Sequence, residues 1–443
     1  MVCKYNLYTF LYASIINFFK EIIIILLIVL LFHSFAYSDN NLRQVKIEIP
    51  STFNPVGSGA RALGMGGAFI SIADDASAAS WNPGCLIYLI YPEISIVTSY
   101  YSREEENLFG TNTEASGING ISGNNLNYLS VSYPFRLINR NMIVSLACQH
   151  LYDFNRDWKF FLNKDAFNAI DEWHYKQTGN LSALGISYCI QVIPQLSAGI
   201  TLNIWDKGFF GNKWKQVYHL KRKYYVTNEL VYYSKQEDYE FSGINANFGI
   251  LWRQGKICMG CVLKTNFTAD ITHEIQENTS QKTISHGHMH MPLSYGIGIT
   301  YKFSDKLIVS ADMYKTDWNT FKYVNKEGER SPITGFPLNQ TSISPTYQLR
   351  TGFEYRFFNI FSDFILPIRG GLFYDPAPAE GLSDSFFGLS FGLGITKNNL
   401  FSIDIAYQYR FANDVAKYSL KQFNFSQDIQ EHKLYTSFIL YSF

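Results

Sequence analysis

The sequence predicts an all-β fold: a transmembrane, antiparallel, up-and-down β-barrel of about 14 strands with an N-terminal hatch inside the lumen. Three observations carry this. The first is composition: of 443 residues 36 are Phe and 31 Tyr, yet only 17% are charged and mean hydropathy is -0.07. A helical membrane protein is more apolar, and a soluble enzyme carries about a quarter charged residues. The second is a recurring period-two alternation, and the third a strict segregation of short and long connections. The 37 basic residues balance 37 acidic ones, which excludes the electrostatic footprint of a nucleic-acid partner.

The chain begins with Lys4 and Lys20 ahead of an apolar run from Ile22 to Phe32. That run falls short of the roughly 20 residues needed to span a bilayer. With Ala36 and Ser38 at the −3 and −1 sites and Asp39 as the first mature residue, residues 1–38 read as a signal peptide. The hatch segment is then 39–91 and the barrel 92–443. Beyond Cys3 there are Cys85, Cys148, Cys189, Cys258 and Cys261, an odd number with no disulfide framework, and their pairing stays open. Cys258 and Cys261 lie three apart in a strand-like run, so their sulfurs face opposite sides.

Alternation places strands at roughly 93–102, 126–136, 141–153, 183–192, 195–205, 238–252, 256–271, 290–303, 306–316, 346–358, 365–374, 386–396, 400–411 and 432–443. In 293–303, Leu293, Tyr295, Ile297, Ile299, Tyr301 and Phe303 share one face, against Ser294, Gly296, Gly298, Thr300 and Lys302. In 401–411 the polar set is Ser402, Asp404, Ala406, Gln408 and Arg410. A soluble sandwich would charge its outer face instead of lining one face with Gly, Ser and Thr. Tyr435, Ser437, Ile439, Tyr441 and the terminal Phe443 share a face on the last strand. Connections such as Leu137–Arg140, Ile193-Pro194 and Ser304-Asp305 are tight, whereas the alternate ones are long. Tight turns on one rim and long loops on the other are the layout of an outer-membrane barrel, and closure leaves no sheet edge for lipid to meet. The span 206–237 reads as a long loop, and 154–180 as a loop with Trp158, Phe161, Phe167, Ile170 and Trp173 along one face of a short helix.

Before the first strand lie Phe53-Asn54-Pro55-Val56-Gly57 through Gly64-Met65-Gly66-Gly67, then Ala73-Asp74-Asp75-Ala76-Ser77 and Asn82-Pro83-Gly84. Small residues and turn formers suit a compact segment packed within a narrow lumen. This string resembles the N-terminal hatch of the FadL-like outer-membrane transport family, the long-chain fatty acid and aromatic hydrocarbon channels. The resemblance continues at Met291–Gly298, from Asp305 through Asp312 to Trp318, and at Ile368–Gly371; Gly84 stands where the family has Ala. It implies uptake of hydrophobic small molecules, most directly long-chain fatty acids or similar lipids. The implied route is loop capture, passage past the hatch and lateral release through the wall. The partners implied are outer-membrane lipids and the barrel assembly machinery. The PorV-type branch has a similar hatch and implies an alternative role, in protein secretion or surface attachment with envelope secretion proteins. The hatch residues carried over are Asn54, Pro55, Gly57, Gly64, Gly66, Gly67, Asp74, Asp75, Asn82 and Pro83.

On the inner face, charges collect at Asp312, Arg350, Glu354, Arg356, Arg369, Asp404 and Arg410. Buried charges need partners, so a mutually paired network that also holds the hatch is one reading. The other is that Arg350, Arg356 or Arg369 meets a substrate carboxylate in bidentate fashion. Trp158, Trp173, Phe209, Phe210 and Trp214, with Lys221, Arg222 and Lys223, form an aromatic and cationic set suited to capturing an amphipathic anion. Pro134 and Pro367 lack a ladder donor and are candidates for a gap in the wall, Pro367 the better one. His286, His288 and His290 alternate onto one face, but no carboxylate shell accompanies them and no metal or other cofactor is expected. No G-x-S-x-G, P-loop or H-E-x-x-H pattern points to an enzyme.

Overall fold

The computed structural model describes residues 57–441 except 165–167, 209–210, 361–362, 398–399, 418–419 and 421–422. The expected signal peptide, Asn54, Pro55, Phe167, Phe209, Phe210 and Phe443 lie outside the described residues. The first strands are β1 (Glu93–Phe109), β2 (Gly117–Leu137), β3 (Arg140–Asp153), β4 (Arg156–Lys164), β5 (Ala169–Ile193), β6 (Leu196–Trp205) and β7 (Lys213–Tyr224). Then come β8 (Leu230–Gln254), β9 (Ile257–Lys264), β10 (Phe267–Glu277), β11 (Thr283–Met291), β12 (Ser294–Lys302), β13 (Leu307–Thr316) and β14 (Lys322–Asn325). The last are β15 (Gly328–Arg330), β16 (Thr346–Ile360), β17 (Phe364–Tyr374), β18 (Phe387–Lys397), β19 (Phe401–Val415) and β20 (Phe425–Tyr441).

These make one closed antiparallel barrel of 14 staves. Several staves are two strands laid end to end: β3 and β4 both pair with β5, and β6 and β7 both pair with β8. Likewise β9 and β10 border β8, while β13 and β14 follow β12 and β11. The barrel closes where β1 pairs with β20, from Glu93 opposite Tyr441 to Phe109 opposite Phe425. Every stave of the spanning wall is thus paired on both sides, as a bilayer core demands, whereas above it β4 is laddered only to β5 and β15 only to β14.

Alternation decides which side chains meet lipid. On β12, Tyr295, Ile297, Ile299 and Tyr301 are exposed while Gly296, Gly298 and Thr300 are buried; on β19 the buried row is Ser402, Asp404, Ala406, Gln408 and Arg410. Apolar side chains so fully exposed (Ile297 59%, Phe391 51%) would be costly in water and are at home in lipid. The build is that of an outer-membrane β-barrel; among the described residues no helix is long and apolar enough to cross. On β20 the shared face of Tyr435, Ser437 and Ile439 proves to be the inner one, and Leu434, Phe438 and Leu440 face outward. The tight rim is made as its residues dictate. Ile138 and Asn139 both take positive φ (50° and 55°), as a two-residue hairpin with right-handed strand twist requires.

The long rim differs from expectation. The spans 154–180 and 206–237 are not loops, and no helix carries Trp158 and Trp173 along one face: they form β4, the start of β5, β7 and the start of β8. Trp158, Phe160 and Leu162 are buried on β4 while Phe161, three after Trp158, is 50% exposed on the opposite face. Ladder bonds to β5 impose a period of two where sequence spacing alone allowed 3.6. The barrel thus continues as a collar of paired strands above the membrane-spanning wall.

Residues 57–91 hold two short helices (Ala60–Gly64 and Ala78–Trp81) and a 3₁₀ turn (Pro83–Tyr88). Phe69, Ile72, Trp81 and Leu86 of this segment pack with Ile143, Cys189, Leu251, Cys258 and Ile308 of the wall, in the short-turn half of the barrel.

Candidate functional site

The segment's backbone touches the wall because the wall offers glycine there. A Cβ on Gly352 would strike Met65, one on Gly371 would strike Gly66, and Gly64 and Gly392 approach to about one side-chain thickness. Gly66 and Gly67 take φ of 68° and 74°, a left-handed turn that sets the Gly66 carbonyl and amide against the strands while the Gly67 amide turns back to Ala62 O at 2.9 Å. Arg350 Nη1 donates to the Gly66 carbonyl at 3.0 Å, and Gly66 N donates to Ser390 Oγ at 2.8 Å. Asp312 Oδ2 accepts from Phe69 N and Ile70 N at 2.5 and 2.8 Å. Asn82 Nδ2 donates to Ile70 O (2.8 Å) and to the wall at Ile250 O (3.0 Å), while its Oδ1 accepts from Gly84 N (3.0 Å). Pro83 and Gly84 lie against Gly199 and Gly249. Gly57 is covered by Trp81, whose Nε1 donates to Ser58 O at 2.7 Å.

The charged residues form a closed network beside this seat. Glu354, wholly buried, accepts from Arg61 of the segment and from Arg356 and Arg369 of the wall, each guanidinium Nε at 2.7 Å. Arg61 also pairs with Asp74, Arg356 approaches Asp74 at 3.8 Å, and Arg369 pairs with Asp404 at 2.5 Å. Three guanidinium groups therefore meet three carboxylates. Asp75 stands apart, its carboxylate accepting from Ser77 N at 2.8 Å. Arg410 pairs with Glu431 (2.9 Å) and, with Arg350, flanks Asp375 at 3.4 Å. Gly64, Gly66, Gly67, Asp74, Asn82 and Pro83 are thus brought against the wall's inner-face charges and glycines, while Gly57 and Asp75 are held within the segment and Arg410 pairs within the wall.

The aromatic and cationic set is not brought together. Trp214 lines a lumen cavity in the collar. Trp158 lies in a separate cluster with Phe109, Phe160 and Phe425, its indole N–H on Glu105, and Trp173 stacks on Phe160. Arg222 is paired with the fully buried Asp171 at 2.6 and 2.8 Å, while Lys221 and Lys223 are exposed on the opposite face of β7. His288 bonds Asp270 and His290 bonds Thr268 across the ladder, and no metal-holding group of three donors occurs among the described residues.

Sequence reasoning missed the collar cavity, because central lining residues such as Phe154, Gln177, Trp214, Gln216 and Glu237 fall in spans read as loops. It holds about 300 Å³. Phe154, Trp214, Tyr239 and His273 stack along one wall, with successive ring centroids 4.8, 4.6 and 4.1 Å apart and planes within 12°. Met289, Met291, Trp318 and Phe321 line the other side. The turn from Ser331 to Gly335, closed by Gly335 N to Ser331 O at 2.8 Å, roofs it and buries Ile333. A smaller cavity of about 70 Å³ shares Tyr152, Met291 and Trp318 with it and reaches Ser80 of the N-terminal segment. A hollow of about 920 Å³ is lined chiefly by lipid-facing residues such as Ile297, Met313, Leu349 and Leu389, a concave stretch of barrel exterior. Between β17 and β18 the ladder runs from Ile365–Thr396 to Ile368–Leu393, with Leu366 and Pro367 unpaired across it; Pro134 stands opposite Ile143 on β3.

No family model and no curated protein sequence matches the chain. Solved structures do. A Pseudomonas aeruginosa FadL homologue aligns with a TM-score of 0.59 at 13% identity, over 87% of this chain and 98% of that one. The CymD monoaromatic hydrocarbon channel gives 0.51 at 15% identity (88% and 99%). The Ralstonia pickettii toluene transporter TbuX gives 0.52 at 12% (88% and 100%). The chain shares the fold of these FadL-type channels.

Proposed function

We propose that the protein is an outer-membrane channel for the uptake of hydrophobic small molecules. The observation that carries this is the lumen itself: an aromatic-lined cavity in the collar adjoins a smaller one, which borders Ser80 of a segment that fills the short-turn half. A water-filled porin has no such occupant. The fold is shared with channels described as carrying toluene and other monoaromatic hydrocarbons, which supports the same cargo chemistry. Long-chain fatty acids or similar lipids, the cargo implied by the sequence resemblance, belong to the same hydrophobic class. Collar strands capture the ligand, the cavity holds it, residues 39–91 act as the hatch, and release is lateral. The unpaired stretch at Leu366 and Pro367 is the favoured exit, since proline has no N–H to close the ladder.

Cells expressing the protein should accumulate radiolabelled toluene or oleate faster than cells lacking it, while the purified barrel passes no steady ion current in planar bilayers. Steady conductance without accumulation would make it a porin. Stable co-purification with envelope proteins and no uptake would instead support secretion or surface attachment.

A further inference from the structure

The collar cavity is apolar on most sides, yet it carries polar groups that a hydrocarbon cannot use. Gln177 on β5 and Gln216 on β7 are cross-strand partners, 1% and 5% exposed, and both line the cavity. Their side-chain carbonyl oxygens are buried and accept no hydrogen bond among the described residues. The next residue in that row, Glu237 opposite Gln216, is engaged by Lys235 at 3.0 Å and faces His273 at 3.3 Å. One layer nearer the membrane runs the stack of Trp214, Tyr239 and His273, themselves cross-strand partners.

Each feature restricts the ligand. Rings stacked side by side along a wall turn their edges to the lumen, and ring edges carry the positive part of the aromatic quadrupole. They favour the face of an electron-rich planar ring over a flexible alkyl chain. Two glutamine carbonyls in a dry cavity call for N–H or O–H donors, because leaving an acceptor unsatisfied forfeits its hydration. The glutamine amide turns about a soft terminal torsion, so it can meet a donor at the ring's edge. A carboxylate would bring its charge to acceptor oxygens and to Glu237, while the cations on the lining, Lys235 and Arg330, are already paired with Glu237 and Glu327. The volume of about 300 Å³ suits one or two fused rings.

We propose that this cavity selects compact, planar aromatic molecules bearing a hydrogen-bond donor, such as an N–H heteroaromatic or a phenol, over unsubstituted hydrocarbons, aromatic carboxylates and fatty acids. The proposal rests on the uptake reading and names its substrate class. The donor meets Gln177 and Gln216, and the ring lies against the edges of Trp214 and Tyr239.

The test is calorimetric titration of the purified full-length barrel in detergent with indole, toluene, benzoate and oleate. Indole should bind on the order of tenfold tighter than toluene, about what one buried hydrogen bond contributes, and benzoate more weakly still. In Gln177→Leu/Gln216→Leu, indole should fall to the level of toluene, with toluene itself unchanged. Toluene or oleate binding as tightly as indole overturns the proposal. So does an unchanged indole affinity in the double variant, or no binding by any probe. Should that variant fail to assemble, the ranking on the unaltered protein decides alone. Indole binding without uptake in cells sinks the transport reading but keeps this one; uptake of all four probes with no ranking in binding does the reverse.

Discussion

The two halves of the lumen are filled by opposite means. In the short-turn half the chain fills its own barrel: wall glycines admit the backbone of Met65 and Gly66, and three carboxylates meet three guanidinium groups. In the collar the wall surrounds a cavity instead, and the amide oxygens of Gln177 and Gln216 stay unmatched. The contrast teaches which half is built to hold a fixed part and which to receive something. Buried polar groups are ordinarily satisfied, so an ion-pair network packed between segment and wall marks an internal joint, and an unsatisfied pair that also lines an open cavity, as Gln177 and Gln216 do, marks a place for a ligand.

The largest effect should come from breaking the joint. Glu354→Ala leaves Arg61, Arg356 and Arg369 sharing Asp74 and Asp404, and removing one partner of a buried ion pair costs about 3–5 kcal/mol. The barrel ladders do not depend on that carboxylate, so the N-terminal segment should become cleavable by added protease while the barrel stays folded. A segment as resistant as in the unaltered protein would show that the network holds nothing. In the collar, Trp214→Ala removes an inner ring of the four-ring stack, which should weaken aromatic ligand binding on the order of tenfold and leave segment protection unchanged. Equal loss in both halves would mean the two regions are one cooperative unit. The smallest effect belongs to Lys221→Ala with Lys223→Ala, whose side chains are exposed on the face of β7 away from the cavity. Uptake should stay within about twofold, the range of surface charge changes; a larger fall would assign them a capture role.

How much of this was legible varied with physical setting. Within the bilayer each side chain has only two environments, so the alternation of Tyr295 through Tyr301 revealed strand, face and lumen at once. Above the bilayer that binary choice disappears. Trp158, Phe161 and Trp173 fit a helix face equally well on spacing, and only the ladder to β5 decided for strand. The inner-face charges were visible as a set, because Arg350, Glu354 and Arg356 all fall on the same face of one alternating run, with Gly352 between. Their partner Arg61 was not, since it lies 293 residues from Glu354 and no periodicity links them. Gly296 and Gly298 were plain on the polar face of their strand, but that Ile70 packs against them depends on register across the whole barrel. The collar cavity was hidden for the same reason: Gln177 and Gln216 become neighbours only once β5 and β7 pair.

The central claim is that the N-terminal segment must move for cargo to pass. Ser71 and Thr300 face each other with their hydroxyl oxygens 2.6 Å apart, one on the segment and one on β12. Ser71→Cys with Thr300→Cys, in a Cys85→Ser/Cys258→Ser background that removes the neighbouring thiols, places two sulfurs within disulfide reach. Uptake of radiolabelled toluene should be lost when this pair is oxidised and return when it is reduced. Uptake at the unlocked rate with the disulfide formed would contradict the claim.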